Sequence, residues 1–285
     1  MGVFRWFGAN PLRPGLASIV LILLLGAWAR MTIPARTERN WYPYLAHETV
    51  VQMQSDRFTV GPVTDWSYAP AGPTNNAYTT AAYTFDDVRA VWFVVEPDPN
   101  LSFAAHTFLM FEFAGDHLLG VTIEARREAN EDYSPVGGAF NEFELAYLWG
   151  AAHDLLTRRT VMLQHKVHIY PLSVTNEQLR TLLTNMLQRT KDLETHPRFY
   201  NTVFANCTNE IAYAAKLDWG PAFILTGEAD EYLYKRRLMP GPNLQAVRAQ
   251  ADFTDVINRL NASPEADFDA AILAEMRARR TKLTG

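Results

Sequence analysis

"HTFLMFEFAGDHLLGVTIEAR", His106 to Arg126, is the stretch that decides the fold class of this 285-residue chain. Two apolar runs flank the turn signal "AGDH" (Ala114 to His117), so the segment reads as a β-hairpin. Thr107, Leu109, Phe111 and Phe113 share one face of the first strand; Leu119, Val121 and Ile123 make the matching apolar face of the second. The opposite faces carry His106 and Glu112, then Thr122, Glu124 and Arg126. Because side chains alternate with a period of two, aligning the apolar faces puts His106 and Glu124 on the same side. An antiparallel register then sets them directly opposite or one diagonal apart, within roughly 4.5–8 Å.

Outward from the hairpin, Val88 to Val95 ("VRAVWFVV") is a short β-branched and aromatic run, the pattern of a buried strand. Phe143 to Trp149 and Val161 to Tyr170 read as further strands. Residues 31 to 75 are polar and turn-rich, with "APAGPTNN" (Ala69 to Asn76) a loop, and Asn130 to Gly138 reads as another. Leu179, Leu182, Leu183, Met186 and Leu187 recur at helical spacing, behind Ser173 or Thr175 as a cap. Glu228 to Leu238 and the segments after Pro242 read as a charged, peripheral helical layer. The sum is an α+β fold, an antiparallel sheet with packed helices. Its 48% hydrophobic and 12% aromatic content supports a sizeable core, and a net charge of -5 argues against nucleic acid as partner.

At the amino terminus, Arg5 and Arg13 precede an uncharged apolar run, Leu16 to Ala29, in residues 1 to 30. Ala27-Trp28-Ala29 has the small-x-small form of a cleavage site, which fits a signal peptide. Phe4, Trp6 and Phe7 fit the interfacial belt of a retained membrane anchor. Either way residues 31 to 250 form an extracytoplasmic domain, and 251 to 285 a helical tail.

Cys207 is the one cysteine, so no internal disulfide exists, and a leftover thiol in an exported chain points to intermolecular pairing or reactivity. Asn206 is a strong N-cap type, with Ile211, Ala214 and Ala215 following at helical spacing. That places Cys207 in a first helical turn, where unsatisfied N–H groups and the helix dipole favour the nucleophilic thiolate. The bland readings are a small buried cysteine, a hydrogen-bonded His106 and a Glu124 paired with Arg126 or Arg127. "HKVH" (His165 to His168) is a weak metal motif, since an offset of three on a strand sends the rings to opposite faces.

"AHTFLMFEF" (Ala105 to Phe113), "LGVTIEARRE" (Leu119 to Glu128), "YSPVGGAFNEFELAYLWGAAHDLLTRRT" (Tyr133 to Thr160) and "FYNTVFANCTNEI" (Phe199 to Ile211) resemble, in order, the motifs of the Lnb amino-terminal periplasmic domain family. "IPARTERNW" (Ile33 to Trp41) and "GEADEYLYKRRLM" (Gly227 to Met239) resemble its flanks, so the likeness runs from about residue 33 to 250. Departures are mild: "AAHD" stands at 151 to 154 where an acidic residue commonly precedes the Asp, and "FEF" falls at a variable position.

The resemblance implies a permuted papain-like thiol enzyme, histidine strand before cysteine helix, whose family namesake is a bacterial lipoprotein N-acyltransferase. Carried over by position, the family histidine falls on His106, the "IEAR" glutamate on Glu124 and the "NCT" cysteine on Cys207, with Asn206 beside it. The expected chemistry is attack of the Cys207 thiolate on an ester or amide carbonyl, with His106 as base and then acid, and Glu124 orienting the ring. Helix-start N–H groups, joined by the Asn206 amide, would hold the oxyanion. No metal or organic cofactor is needed. The expected partners are a phospholipid or other acyl donor, a lipoprotein amino terminus and the membrane, with Phe103, Phe108 and Met110 lining an acyl slot. The competing readings are a cell-wall peptide amidase using the same dyad and a membrane-tethered binding module with an inert cysteine.

Overall fold

Eight strands hydrogen-bond into one sheet in the computed structural model, which describes residues 12–263 and 267–285. They are β1 (Val50–Met53), β2 (Arg57–Ala69), β3 (Gly72–Thr84), β4 (Val88–Pro97), β5 (Ala105–Phe113), β6 (His117–Arg126), β7 (Glu144–Ala151) and β8 (His168–Pro171). The order is β1-β2-β7-β6-β5-β4-β8, with β3 paired to β2. Every pairing is antiparallel except β2 with β7, which meet in parallel at Thr64↔Gly150. Gly115 (φ 80°) and Asp116 (φ 62°) turn the β5–β6 hairpin in left-handed backbone, which glycine and aspartate tolerate best.

The helices are α1 (Leu12–Thr32), α2 (Pro135–Ala139), α3 (Ala152–Thr157), α4 (Asn176–Thr195), α5 (Cys207–Ala214), α6 (Ala229–Lys235), α7 (Leu244–Ala251), α8 (Thr254–Asn261) and α9 (Phe268–Thr284). A π-helical turn, Arg158–Met162, extends α3. The sheet separates two cores. On one face Leu109, Phe111, Val121 and Ile123 pack against the Leu182, Leu183 and Leu187 stripe of α4 and Ile211 of α5. On the other, Phe108, Met110 and Trp92 pack against Leu155 of α3, Ile257 of α8 and Ile272 of α9. Gly120 and Gly150 let α3 lie close on the sheet: a Cβ there would come within 2.2 Å and 2.9 Å of Leu155 side-chain atoms.

The antiparallel sheet, the hairpin, the Val88 strand and the α4 stripe match the sequence reading, and Thr175 is the α4 cap, in a box with Gln178. Four expectations change. Residues 57 to 76, read as part of a polar, turn-rich segment and a loop, belong to the long β2–β3 hairpin; β3 is largely exposed on both faces and so lacks an apolar period. Asn130 to Gly138 includes the short helix α2, capped by Ser134. Val161 to Tyr170 is strand only from His168, because the π turn holds Val161 and Met162. The carboxy-terminal helices are not peripheral: Val256, Ile257, Ile272, Leu273 and Met276 build the second core.

The amino-terminal apolar run lies in α1, where Leu16, Ile19, Ile22, Leu24 and Trp28 are exposed. The span expected of an anchor is not met: among the described residues no helix is long and apolar enough to cross a membrane. Leu16 to Ala29 rises only about 20 Å as a helix, against a hydrocarbon core of roughly 30 Å. Phe4, Trp6 and Phe7, expected at a membrane interface, lie outside the described residues.

Candidate active site

The register of β5 and β6 creates the site. Their pairing runs from the turn to Phe108↔Thr122 and stops there. β5 stays paired with β4 as far as Pro97↔Ala105, and β6 with β7 as far as Arg126↔Glu144. The two strands therefore part at the end away from their turn. His106 and Glu124 stand on the lips of that gap, each about a quarter exposed in its side chain. Helix α5 begins below it, with Cys207 only 3% exposed.

His106 Nε2 lies 2.6 Å from Thr122 Oγ1 and 3.3 Å from Glu124 Oε1. The Thr122 hydroxyl donates to Glu124 Oε1 at 2.8 Å, so it accepts from His106, and the ring proton sits on Nε2. Nδ1 is then the nitrogen left for the sulfur. Burial pushes the Cys207 thiol up, but the His106 charge, a hydrogen bond with that ring, and bonds from the Thr107 side chain and N–H outweigh it. The thiol settles below its ordinary value. Burial likewise opposes the imidazolium, yet the Glu124 and Cys207 charges push His106 up to about 10. Glu124, facing His106, Arg159 and Arg158, is held well below the usual carboxylate range despite its burial. Each group is thus shifted toward its charged form: the thiol toward thiolate, the ring toward imidazolium and Glu124 toward carboxylate.

Asn206 caps α5: its side-chain oxygen accepts from Asn209 N–H at 2.8 Å. Its amide hydrogens go to Thr202 O (2.8 Å) and Phe223 O (2.7 Å), which ties the helix start to two loops. Both are thereby committed, so the residue orients the cysteine and its amide is not free to meet an oxyanion. Thr107 and Thr208 bridge β5 to α5 at 2.9 Å. Buried Glu210 anchors the same helix from behind, against Tyr147, Arg189 and Arg198.

Several participants were not singled out in the sequence. Arg159, 1% exposed, sits with Nε 2.9 Å from Glu96 Oε2, Nη2 3.5 Å from Glu124 Oε1, and its guanidinium carbon 4.3 Å above the Phe108 ring. His165 pairs with Glu96 at 2.6 Å, while His168 enters β8 beside Tyr170. The "TRR" of the α3 extension gives no periodic signal, because a π turn shifts which residue faces inward. Tyr200 is buried close enough to Cys207 for the sulfur's charge to add to burial in holding its phenol neutral. Phe108 and Met110 are buried in the second core and Phe103 is exposed on a loop, so these three do not form the expected acyl slot.

Large apolar side chains are exposed on α2 and its carboxy-terminal cap, on the segment before β5 and on the segments either side of α5: Phe103, Val136, Phe140, Phe204, Trp219 and Ile224 are all more than 40% accessible. These segments are tied together by Gly227 N–H to Phe103 O, Thr202 to Pro135 O, and Asn206 to Phe223 O.

A family model described as the Lnb N-terminal periplasmic domain matches residues 74–239, from β3 to just beyond α6. No curated protein and no solved structure matches the chain. The matched span is shorter than the resemblance traced by motif, but it covers more than half of the chain and holds Cys207, His106, Glu124, Asn206, Thr122 and Arg159. The protein thus belongs to the Lnb N-terminal periplasmic domain family.

Proposed function

We propose that the protein is a periplasmic cysteine-dependent acyltransferase or hydrolase that works through an acyl-thioester on Cys207. The observation that carries this reading is the meeting of Cys207, His106 and Glu124 at the β5–β6 gap, with electrostatics that favour the thiolate. The strand-then-helix order of His106 and Cys207 also accords with a permuted papain-like arrangement.

In the proposed reaction the Cys207 thiolate adds to an ester carbonyl, forming an S–C bond and an oxyanion. Asn209 N–H is taken by the Asn206 side chain and Glu210 N–H by the Asn206 carbonyl, leaving Cys207 and Thr208 N–H as the donors the helix start can offer. The neutral phenol of Tyr200 is a further candidate donor. Collapse breaks the C–O bond, and the imidazolium of His106 gives its proton to the departing alcohol. An amine then attacks the thioester: the N–C bond forms, the S–C bond breaks, and the amine's proton passes to His106. Water in place of the amine yields hydrolysis.

For the donor we propose a phospholipid and for the acceptor a lipoprotein amino terminus, with residues 1 to 29 serving as anchor or cleaved signal. Exposed Phe204 and Trp219, on the segments either side of the cysteine helix, favour a lipid surface over a polar cell-wall peptide. The test is intact-mass analysis after exposure to phospholipid vesicles. A fatty-acyl adduct on the native chain, absent from Cys207→Ala, is expected. Turnover that survives Cys207→Ala overturns the assignment.

A further inference from the structure

Behind the cysteine helix, on the opposite side of the sheet from His106, lies an apolar cavity of about 90 Å³. On the same measure a single water needs only about 10–15 Å³, together with polar partners to hold it. Thr208, Ile211, Ala212 and Ala215 form the α5 wall, at the i, i+3, i+4, i+7 spacing of one helix stripe. Phe93 and Leu109 of the sheet form the floor. Thr208 and Gln178 are the lining's polar side chains apart from the Tyr232 phenol, and Thr208 is already bonded to Thr107. A space of this size with so few free polar groups has no use for water.

Its two ends differ. The lining residue next to the nucleophile in the chain is Thr208, whose hydroxyl lies 4.0 Å from Cys207 Sγ. Toward the other end Gln178 is exposed and Val174, Ala215 and Leu217 are half-buried, so the mouth opens at the carboxy-terminal end of α5. From Cys207 to Ala215 the helix rises about 12 Å, the extended length of roughly nine or ten methylenes.

Resting on the proposed thiol chemistry, we infer that this cavity takes the hydrocarbon chain of the acyl group carried on Cys207. The carbonyl sits at the gap and the chain runs along the Thr208–Ala215 stripe, with chains beyond about ten carbons emerging at the Val174–Leu217 mouth. This places the slot on the face opposite Phe108 and Met110. The alanines of the stripe make it a ruler: methylenes added there take the volume a chain would fill.

The experiment uses the full chain in detergent micelles, with Cys207→Ala so that binding is read apart from chemistry. The probe is a palmitate analogue with a diazirine at mid-chain, cross-linked by light and mapped by peptide mass. Cross-links on α5, α4 and Leu109 are expected, and at least a tenfold fall with Ala212→Leu. That substitution adds atoms to an empty cavity, so the fold should melt no lower than its parent. Ala215→Leu, at the mouth, serves as the second variant if Ala212→Leu does not fold. Labelling elsewhere, or labelling unmoved by the folded variants, overturns the inference. In chains that retain Cys207, the ratio of octanoyl to palmitoyl adduct should rise at least tenfold on the same substitutions, and an unchanged ratio counts against the slot. If the native chain forms no adduct with any ester, the proposed function fails while the cross-links still decide the cavity.

Discussion

Replacing Glu124 by Gln keeps the shape of the side chain and removes one charge beside His106, whose Nε2 is 3.3 Å from the carboxylate. Opposite charges about 4 Å apart attract by about 4 kcal/mol at the effective dielectric of about 20 that suits partly exposed sites. At about 1.4 kcal/mol per pKa unit, losing that attraction lowers the imidazole by about 3. A ring pushed up to about 10 in the native protein should then titrate near 7 in the variant. The assay is long-range 1H–15N NMR of the histidine rings across pH 5 to 11, which needs no substrate. His106 should stay protonated through neutral pH in the native chain and lose its proton around neutrality in Glu124→Gln. The same charge sets a stability profile. A group raised on folding stabilises the protein below its unfolded pKa of about 6.5 and loses that contribution as pH climbs through its folded value. The gap in urea stability between the native chain and Glu124→Gln should therefore be widest near pH 6 and shrink towards pH 10. A native His106 already neutral at pH 7, or one whose titration ignores the substitution, would refute the electrostatic argument.

Two further outcomes follow from the same cluster. Arg159→Leu strands buried Glu96 and weakens the hold on Glu124, and should cost about 3–5 kcal/mol in urea denaturation. A loss below about 1 kcal/mol would mean that the guanidinium does not carry those charges. Thr122→Val removes the hydroxyl between His106 and Glu124 and should cost about 1–3 kcal/mol. It should also shift the His106 Nε2 proton signal, whereas a signal unchanged from the native one would exclude the hydroxyl as its acceptor.

The parts of the fold that could be read from sequence are those where burial imposed a period. The β5–β6 hairpin carries one apolar face per strand, and that alternation alone set His106 against Glu124. Strand β2 defeated the same reasoning for a physical cause. Phe58, Val60 and Val63 face one core, while Trp66 and Tyr68 face the other, and the register shifts between Val60 and Val63 at Gly61-Pro62. No single period spans such a strand. Arg159 and Glu96 were hidden differently: each is a charged residue in a core, where pattern reasoning expects apolar side chains, and only the partner across the fold explains it. Asn206 was legible as a cap, whereas the Thr202 and Phe223 carbonyls that occupy its amide come from loops with no signal of their own.

Those buried charges change how the nucleophile is understood. From the interior outward run Glu96, Arg159, Glu124, His106 and Cys207, each member facing one of opposite sign. In such a row every charge is held by its neighbours, so a perturbation alternates in sign as it travels. Removing Arg159 favours protonation of Glu124; a neutral Glu124 weakens the imidazolium; a neutral ring lets burial raise the thiol. A thiolate on a helix start needs none of this if the dipole suffices, and then the thiol's titration would ignore Arg159. The row predicts that it will not. Iodoacetamide alkylation of Cys207 should shift to higher pH in Arg159→Leu, although the arginine makes no direct contact with the sulfur in the described geometry. Alkylation at the native pH midpoint in that variant would leave the helix start as the sufficient cause, and reduce the buried charges to a structural device.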